Sequence, residues 1–292
     1  MTAGRPPARG GRIELHAHTI FSDGTLTPAE LVAMAAERGL TALAITDHDS
    51  VDGVAPAIAA AGTLGDARSA GAAAPPEIVA GIELSSSLEG NDLHVLGYFI
   101  DWRSETLAVR LSRFRDERRA RAREILHRLA SLGVPVAEDE VFAAAGPGVV
   151  GRPHIANALL KAGHVPTIDV AFQRYLGARG AAFVPRPVFP SGEAVRAIRD
   201  AGGAAVLAHP AALATRVVEQ LAEAGLAGIE VWHPQHGISS QKRWREVARA
   251  LDLVASGGSD FHGPHRGVGL GEMPVPGRAL EDLRARSEPA LP

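Results

Sequence analysis

Nine histidines and acidic residues recur along this 292-residue chain, most of them closing or following a short apolar run. They are His16 and His18 in His-Ala-His, Asp23, His48 in Ile-Thr-Asp-His, Glu83 in Gly-Ile-Glu, His94, His209 in Leu-Ala-His-Pro, and Asp260 and His262 in Ser-Asp-Phe-His. Imidazole and carboxylate are the groups that hold Zn²⁺, Mn²⁺ or Fe²⁺. His16 and His18 are two apart on an extended segment, so both rings face one side and can share an ion. Asp23 follows on the loop and can reach a neighbouring ion. Glu83 is the bridging candidate, because one carboxylate can hold two cations about 3.5–4 Å apart. Nine such ligands supply two or three divalent ions, a setting in which hydroxide is a strong nucleophile and phosphoryl oxygens are stabilised. Glu83, Asp260 and His209 are expected at the centre of that chemistry. Taken singly, each histidine is more often structural; taken together, they predict a multinuclear hydrolytic centre. Asp47 and Asp49 flank His48 and are expected to support ligands rather than act as ligands.

These residues need elements to bring them together. Ile13-Glu14-Leu15 reads as a strand running into His16. Thr27-Pro28-Ala29-Glu30 is a capping box with proline at the first helical position, and it opens a helix that Gly39 stops. Further strands are expected at Thr41–Thr46, Ile78–Leu84, Leu93–Ile100, Ala204–Ala208, Gly228–Trp232 and Leu253–Gly257. A short helix is expected from Val54, followed by a Gly-, Ala- and Pro-rich surface loop from Gly62 to Pro76. Seven strands, most followed by helices, favour parallel β/α packing, with the site at the C-terminal strand ends. His94 departs from that rule, because it stands near the start of its strand.

The alternation breaks between residues 101 and 187. Ser104–Leu132 reads as one long helix with apolar positions at Leu107, Leu111, Phe114, Ile125 and Leu129. Shorter helices are expected at Glu138–Ala145, Pro153–Lys161 and Thr167–Leu176. The expected organisation is a disordered leader (1–11), a first barrel part (12–100), a helical insertion acting as a lid (101–187) and a second barrel part (188–292).

Composition narrows the class. With 46% apolar residues the chain can bury a sizeable core, and a formal charge of −3 argues against a general nucleic-acid coat. There is no cysteine, so any metal must sit on nitrogen and oxygen, and no disulfide is possible. No apolar run is long enough to span a bilayer. The Arg-, Pro- and Gly-containing first twelve residues lack the apolar stretch of a signal peptide, which predicts a cytoplasmic protein.

The motifs resemble the PHP (polymerase and histidinol phosphatase) family. His16-Ala17-His18-Thr19 with Ser22-Asp23-Gly24, Ile45-Thr46-Asp47-His48-Asp49, Gly81-Ile82-Glu83, Ala208-His209-Pro210 and Gly258-Ser259-Asp260-Phe261-His262 are similar to its successive motifs. The resemblance runs from about Arg12 to Leu283. It implies a distorted (β/α)7 barrel, an α/β fold with an inserted small helical domain. It also implies one ion on His16, His18, Glu83 and Asp260, a second on Glu83, His94 and His209, and a third on Asp23, His48 and His262. Manganese is the expected metal, with zinc, iron or magnesium as alternatives. Within the family the chain looks most like nucleotide phosphatases with a helical insertion, on the strength of Gly90–Gly97, Gly151-Arg152-Pro153-His154-Ile155-Ala156, and Tyr175-Leu176 through Phe183-Val184-Pro185. Members of that branch act on 3′,5′-bisphosphorylated nucleotides or trim 5′-phosphorylated RNA. Where relatives often carry Gly-Lys after Tyr-Leu, this chain reads Gly177-Ala178-Arg179-Gly180, a register shift that leaves Arg179 as the replacement phosphate contact.

On the substrate side, Arg152 is the leading candidate for a fork on a second phosphate, weighed against a solvent-facing arginine at a helix start. His154 is expected at phosphate or packed in the same turn, and His233 and His236 at the pocket mouth. Trp232 and Phe261 are candidates to stack a base, though buried aromatics are more often core. Eight arginines between Arg110 and Arg128 read first as a solvated helix face, and second as a guide for an RNA backbone. The expected reaction is hydrolysis of a phosphomonoester on a small nucleotide by a metal-bridging hydroxide, with the 3′-phosphate of a nucleoside 3′,5′-bisphosphate as the substrate group. The alternatives are 5′→3′ exoribonuclease action on short RNA, a histidinol-phosphatase-like activity, and a non-enzymatic regulatory or partner-docking metal module. No stable protein partner is implied.

Overall fold

A computed structural model describes residues 11–66, 74–146, 148–185, 187, 189–265 and 267–287. Seven strands form one sheet in sequential order. The first half contains β1 (Arg12–Glu14), α1 (Pro28–Glu37), β2 (Leu40–Ile45), α2 (Val54–Asp66), β3 (Glu77–Leu88) and β4 (Asn91–Tyr98). Four helices follow: α3 (Glu105–Ser131), α4 (Glu138–Ala145), α5 (Arg152–Lys161) and α6 (Ile168–Ala171), the last continuing as a π-helical turn over Phe172–Leu176. The chain then returns through α7 (Ser191–Asp200), β5 (Ala204–Leu207), α8 (Thr215–Glu223), β6 (Gly228–Trp232), α9 (Ile238–Ala250), β7 (Val254–Gly257) and α10 (Arg278–Arg286).

The capping box of α1 forms as the sequence implies: Thr27 Oγ1 accepts from the Glu30 N–H at 3.2 Å, and Glu30 accepts from the Thr27 N–H at 2.8 Å. Gly39 follows at φ 69°, a conformation that glycine adopts without steric strain. The helix expected from Val54 continues to Asp66, so Gly62 to Asp66 is helical rather than loop. Its alanine-rich composition outweighs the two glycines. The remainder of the expected surface loop, 67–73, and the leader up to residue 10 lie outside the described residues.

One strand runs against the expectation of all-parallel packing. β1–β2–β3 and β5–β6–β7 are parallel, but β4 is antiparallel to both β3 and β5. The cause is local. β3 and β4 are joined by Glu89-Gly90, both at positive φ (51° and 76°), between the paired residues Leu88 and Asn91. A two-residue turn of that conformation makes a hairpin and cannot make a crossover. The start of β4 is thereby placed at the end of the barrel where the other strands finish, and His94 comes with it. The sheet closes through a parallel bridge between Ala17 and Phe261, where His18 N donates to Phe261 O at 2.8 Å and Phe261 N to His16 O at 3.1 Å.

Two apolar layers hold the barrel. Ile13, Leu15, Ala42, Ala44, Val79, Leu96, Tyr98, Ala204, Val206 and Val254 alternate along their strands and pack with Leu280 and Leu283 of α10. Other clusters bury the outward strand faces against α1, α2 and α7–α9. The segment between β4 and β5 gathers its own core, in which Ile125 and Leu129 of α3 meet Val141, Ile155, Leu159 and Leu176. Among the described residues, no helix is long and apolar enough to cross a membrane.

Candidate metal centre

All nine sequence-predicted ligands meet at the carboxyl end of the barrel. Glu83 is fully buried at their centre. Its Oε2 lies 3.3 Å from His16 Nε2, 3.3 Å from His18 Nε2 and 2.9 Å from His48 Nδ1. Its Oε1 lies 2.8 Å from His94 Nδ1 and 3.1 Å from His209 Nε2. The two oxygens of one carboxylate therefore serve two different sets of imidazoles. Asp260 Oδ1 lies 3.3 Å from both His16 Nε2 and His18 Nε2, completing a four-residue cluster with Glu83. Asp23 Oδ1 lies 3.1 Å from His262 Nε2 and 4.0 Å from His48 Nε2, in a second cluster that also includes His18. His48 additionally groups with Glu83 and His94.

The donor atoms fit metal ions better than they fit one another. His16 Nε2, His18 Nε2, Asp23 Oδ1, His48 Nδ1, Glu83 Oε2 and His233 Nε2 are buried polar atoms without a hydrogen bond of acceptable geometry. Buried polar atoms are almost always hydrogen-bonded, so six orphans in one place call for a further partner. Nitrogen and carboxylate oxygen with no sulfur are the donor set of borderline and hard divalent cations.

Electrostatics agree. Burial alone would raise the Glu83 carboxyl, yet the imidazoles of His48, His94 and His16 hold it well below the usual carboxylate range. Burial likewise opposes ionisation of Asp23 and Asp260, and His48 with His262, and His16 with His18, reverse it. Burial would lower His18, but the carboxylates of Asp260 and Glu83, each 3.3 Å from its Nε2, push it up to about 10. Burial drives His94 down to about 4, against the pull of Glu83 beside it. The cluster is built around anionic carboxylates that need cationic charge beside them.

A layer of supporting groups orients the ligands. Asp47 Oδ1 accepts from Thr19 N at 2.7 Å and Ser22 Oγ at 2.6 Å, bracing the His-Ala-His loop. Asp49 is tied to Ser85 and Arg118. Two partners were not anticipated from sequence. Glu230 is fully buried and accepts from His16 Nδ1 at 3.1 Å and from His209 N at 2.8 Å. Glu14, also buried, accepts from the backbone N–H groups of His16, Ser259 and Gly271. Each is a lone acid inside an apolar strand, Ile-Glu-Val and Ile-Glu-Leu, a pattern that could have marked them. His209 and Asp260 adopt φ of 27° and 53°, a strained conformation for non-glycine residues that is held where ligands converge.

A cleft of about 340 Å³ is lined by Asp23, His48, His94 and His209 together with Arg118, Arg121, Arg152 and Phe172. Arg152 is in place, with Nη1 donating to Leu176 O at 3.2 Å. His154 is buried and its Nδ1 accepts from Gly151 N at 3.0 Å, which caps the start of α5. Arg179 is exposed and is not among the residues lining the cleft; Gly177 and Gly180 fold the chain into a tight turn around it, with Gly180 N donating to Gly177 O at 2.7 Å. His233 is buried, with Nε2 3.5 Å from Asp260 Oδ2, and it forms a fourth cluster with His16 and Glu230. His236 is buried away from the cleft; Nδ1 donates to Val231 O at 3.0 Å and Nε2 accepts from Ala211 N at 3.2 Å, so both ring nitrogens are occupied. Phe261 is buried against Leu31, Leu43 and Ile45, and Trp232 packs on the strand cores, so neither presents a face to the cleft. Of the arginine run, Arg113, Arg115, Arg123 and Arg128 pair with acidic side chains on the surface, while Arg118 and Arg121 turn inward.

Comparison with known proteins matches this geometry to a family. Residues 14–133 match the PHP domain. The chain is 33% identical over 264 residues to a 5′-3′ exoribonuclease of Escherichia coli strain K12, covering 88% of this chain and 87% of that one. It is 34% identical over 262 residues to a 3′,5′-nucleoside bisphosphate phosphatase of Chromobacterium violaceum, covering 87% and 88%. A solved metal-dependent phosphoesterase from Bifidobacterium adolescentis superposes with a TM-score of 0.85 at 32% identity, covering 97% of this chain and 98% of that one. A solved Chromobacterium violaceum amidohydrolase, with bound sulfate and no metal, superposes at 0.83 with 32% identity, over 96% and 98%. A seven-stranded barrel that gathers imidazoles and carboxylates at one end, shared in sequence and shape with these relatives, makes the chain a member of the PHP-domain family of metal-dependent phosphoesterases.

Proposed function

We propose that this hydrolase removes the 3′-phosphate of a nucleoside 3′,5′-bisphosphate. The observation that carries the proposal is the cleft itself, which metal-type donors and three arginines line together. A space of about 340 Å³ suits a small ligand. That combination suits a substrate with one phosphate to cleave and another to hold. The 3′,5′-nucleoside bisphosphate phosphatase relative supports the same substrate class.

In this reading His16, His18, Glu83 and Asp260 hold one ion, Glu83, His94 and His209 a second, and Asp23, His48 and His262 a third, with manganese the preferred metal. When bound, such ions supply Lewis-acid polarisation of the phosphoryl oxygens and of the attacking water. The protein's own contribution is positional. Glu83 sets the spacing of the two imidazole groups, and Glu230 holds the ring of His16 through Nδ1, leaving Nε2 to face the centre. Arg152 and Arg121 bind the non-reacting phosphate. The helical segment 101–187 covers the cleft as a lid and excludes bulk water. We place this chemistry in the cytoplasm, where nucleotide substrates are found.

A second reading, 5′→3′ exoribonuclease action on short 5′-phosphorylated RNA at the same site, is favoured by the exoribonuclease relatives at 33% and 32% identity. One experiment separates them. Protein reconstituted with Mn²⁺ is given a nucleoside 3′,5′-bisphosphate or a 5′-phosphorylated oligoribonucleotide. Rapid phosphate release from the first with little degradation of the second is expected. Stepwise release of mononucleotides at a higher rate would establish the second reading, and turnover of neither would defeat both.

A further inference from the structure

Arg118 lies within α3, in a run of arginines that otherwise reads as a helix surface. Its surroundings are unlike those of its neighbours. Nε donates to Asp49 Oδ2 at 2.7 Å, while Nη2 donates to that same oxygen and to Ser85 Oγ, the latter at 2.8 Å. Asp49 is 2% exposed, sits at φ 50°, and its Oδ1 accepts from Ser85 N at 2.8 Å. Asp49 and Ser85 are themselves fixed by the barrel: Asp49 N donates to Glu83 O at 3.0 Å, and Ser85 is paired with His94 across β3 and β4. The guanidinium is therefore locked by one partner next to His48 in sequence and another two residues beyond Glu83.

One amino group of the fork is left over. Arg118 Nη1 makes no hydrogen bond among the described residues, and the side chain lines the same cleft as His48, His94 and Arg152. Nη1 also lies 3.7 Å from where a Cβ on Gly151 would be, so the group is directed toward the Gly151-Arg152 side of the cleft. Arg118 thus spans the interval between the ligand cluster and the start of α5. Its positive charge is largely cancelled by Asp49, so any action on a ligand comes from a donor held in place rather than from long-range attraction. The guanidinium is planar and always protonated, which allows one face of the fork to be anchored while the other binds an anion.

We infer that Arg118 is a specificity-determining residue: its anchored guanidinium presents Nη1 to the non-reacting phosphate of the substrate, so that a bisphosphorylated nucleotide is selected over a monophosphorylated one. The inference rests on the bisphosphate reading of the site and extends it by adding to Arg121 and Arg152 an anchored third donor that reads the second phosphate. Lysine at this position keeps the charge beside Asp49 but is a point donor that cannot hold Asp49 and reach the cleft together.

The test compares the intact protein with Arg118→Lys and with the charge-neutral double variant Asp49→Asn/Arg118→Gln, which avoids leaving a buried carboxylate unpaired. Three quantities are measured: Mn²⁺ bound per chain, binding of adenosine 5′-monophosphate to the metal-free protein by calorimetry, and kcat and KM for adenosine 3′,5′-bisphosphate and adenosine 3′-monophosphate. The expected result is unchanged Mn²⁺ content in Arg118→Lys, binding of the 5′-monophosphate weakened at least about tenfold in both variants, the size of one charge-assisted hydrogen bond, and KM for the bisphosphate raised by a similar factor with a smaller change in kcat. Selectivity for bisphosphate over monophosphate then falls by about the same factor. Equal losses on both substrates, lost Mn²⁺, or undiminished binding of the 5′-monophosphate would each overturn the inference. If the unmodified protein hydrolyses neither nucleotide, the bisphosphate reading fails, and the calorimetric comparison alone still decides whether Arg118 holds a phosphate.

Discussion

Glu83 illustrates how one side chain organises a site. Five imidazole nitrogens surround its two oxygens at 2.8–3.3 Å, and no other carboxylate of the centre is so placed. Glu83→Gln replaces one acceptor oxygen with a donor and removes a charge. Turnover should fall by more than the roughly 10–100-fold typical of an outer-layer partner, with fewer Mn²⁺ ions bound per chain by elemental analysis. Retained turnover with full metal content would refute the bridging role. Glu230 works one step back, through His16 Nδ1 and His209 N. Glu230→Gln is expected to weaken metal affinity or activity by about 10–100-fold, measured by Mn²⁺ titration. Gly258 is constrained by space: a Cβ would stand 2.3 Å from His16 Cβ and 2.8 Å from Glu14 Oε1. Gly258→Ala should displace His16, and a metal stoichiometry equal to that of the unmodified protein would show otherwise.

At the scale of elements, the hairpin between β3 and β4 and the buried tie from α3 to the loop after β2 decide the arrangement. Because β4 is reversed, a residue near its start reaches the same end of the barrel as residues that close the other strands. The Asp49–Arg118 pair joins α3 to the barrel with almost no exposure of the carboxylate. Burial alone would raise the Asp49 carboxyl, but Arg118 and the Ser85 N–H hold it below its ordinary value. A depressed folded-state value means that this stabilisation is present above the unfolded carboxylate value of about 3.9 and is lost as pH falls through the folded one. The midpoint of urea unfolding should therefore drop on acidification below about pH 4, and the drop should be smaller in Asp49→Asn. That variant should also be less stable at pH 7 by on the order of 3–5 kcal/mol, the penalty for stranding one member of a buried ion pair.

For the whole molecule, metal bound at the barrel end would be coupled to global stability, because the candidate ligands come from segments spread from His16 to His262. An ion that binds only the folded chain stabilises it by about 2.7 kcal/mol at one hundred times its dissociation constant. Thermal unfolding should shift upward with added Mn²⁺ and return on chelation, with turnover lost in parallel. A melting temperature indifferent to Mn²⁺ would argue that the ligand loops do not share an ion.

The nine side chains that converge at the barrel end were legible in the order of residues alone, because metal chemistry restricts donors to a few side-chain types and the barrel places them after strands. Seven strands, the capping box of α1 and the long α3 were equally readable from periodicity and caps. What tertiary structure decided were the features that depend on partners distant in the chain. Glu14 and Glu230 look like strand residues until their buried carboxylates are seen facing His16 and Ser259. His236 reads as a pocket residue until both its nitrogens are found spent on Val231 and Ala211. Arg118 is one of eight arginines in a run and is distinguished only by Asp49, 69 positions away. Donor chemistry is local to a residue and survives in one dimension; burial and pairing are properties of the packed chain, and only folding assigns them.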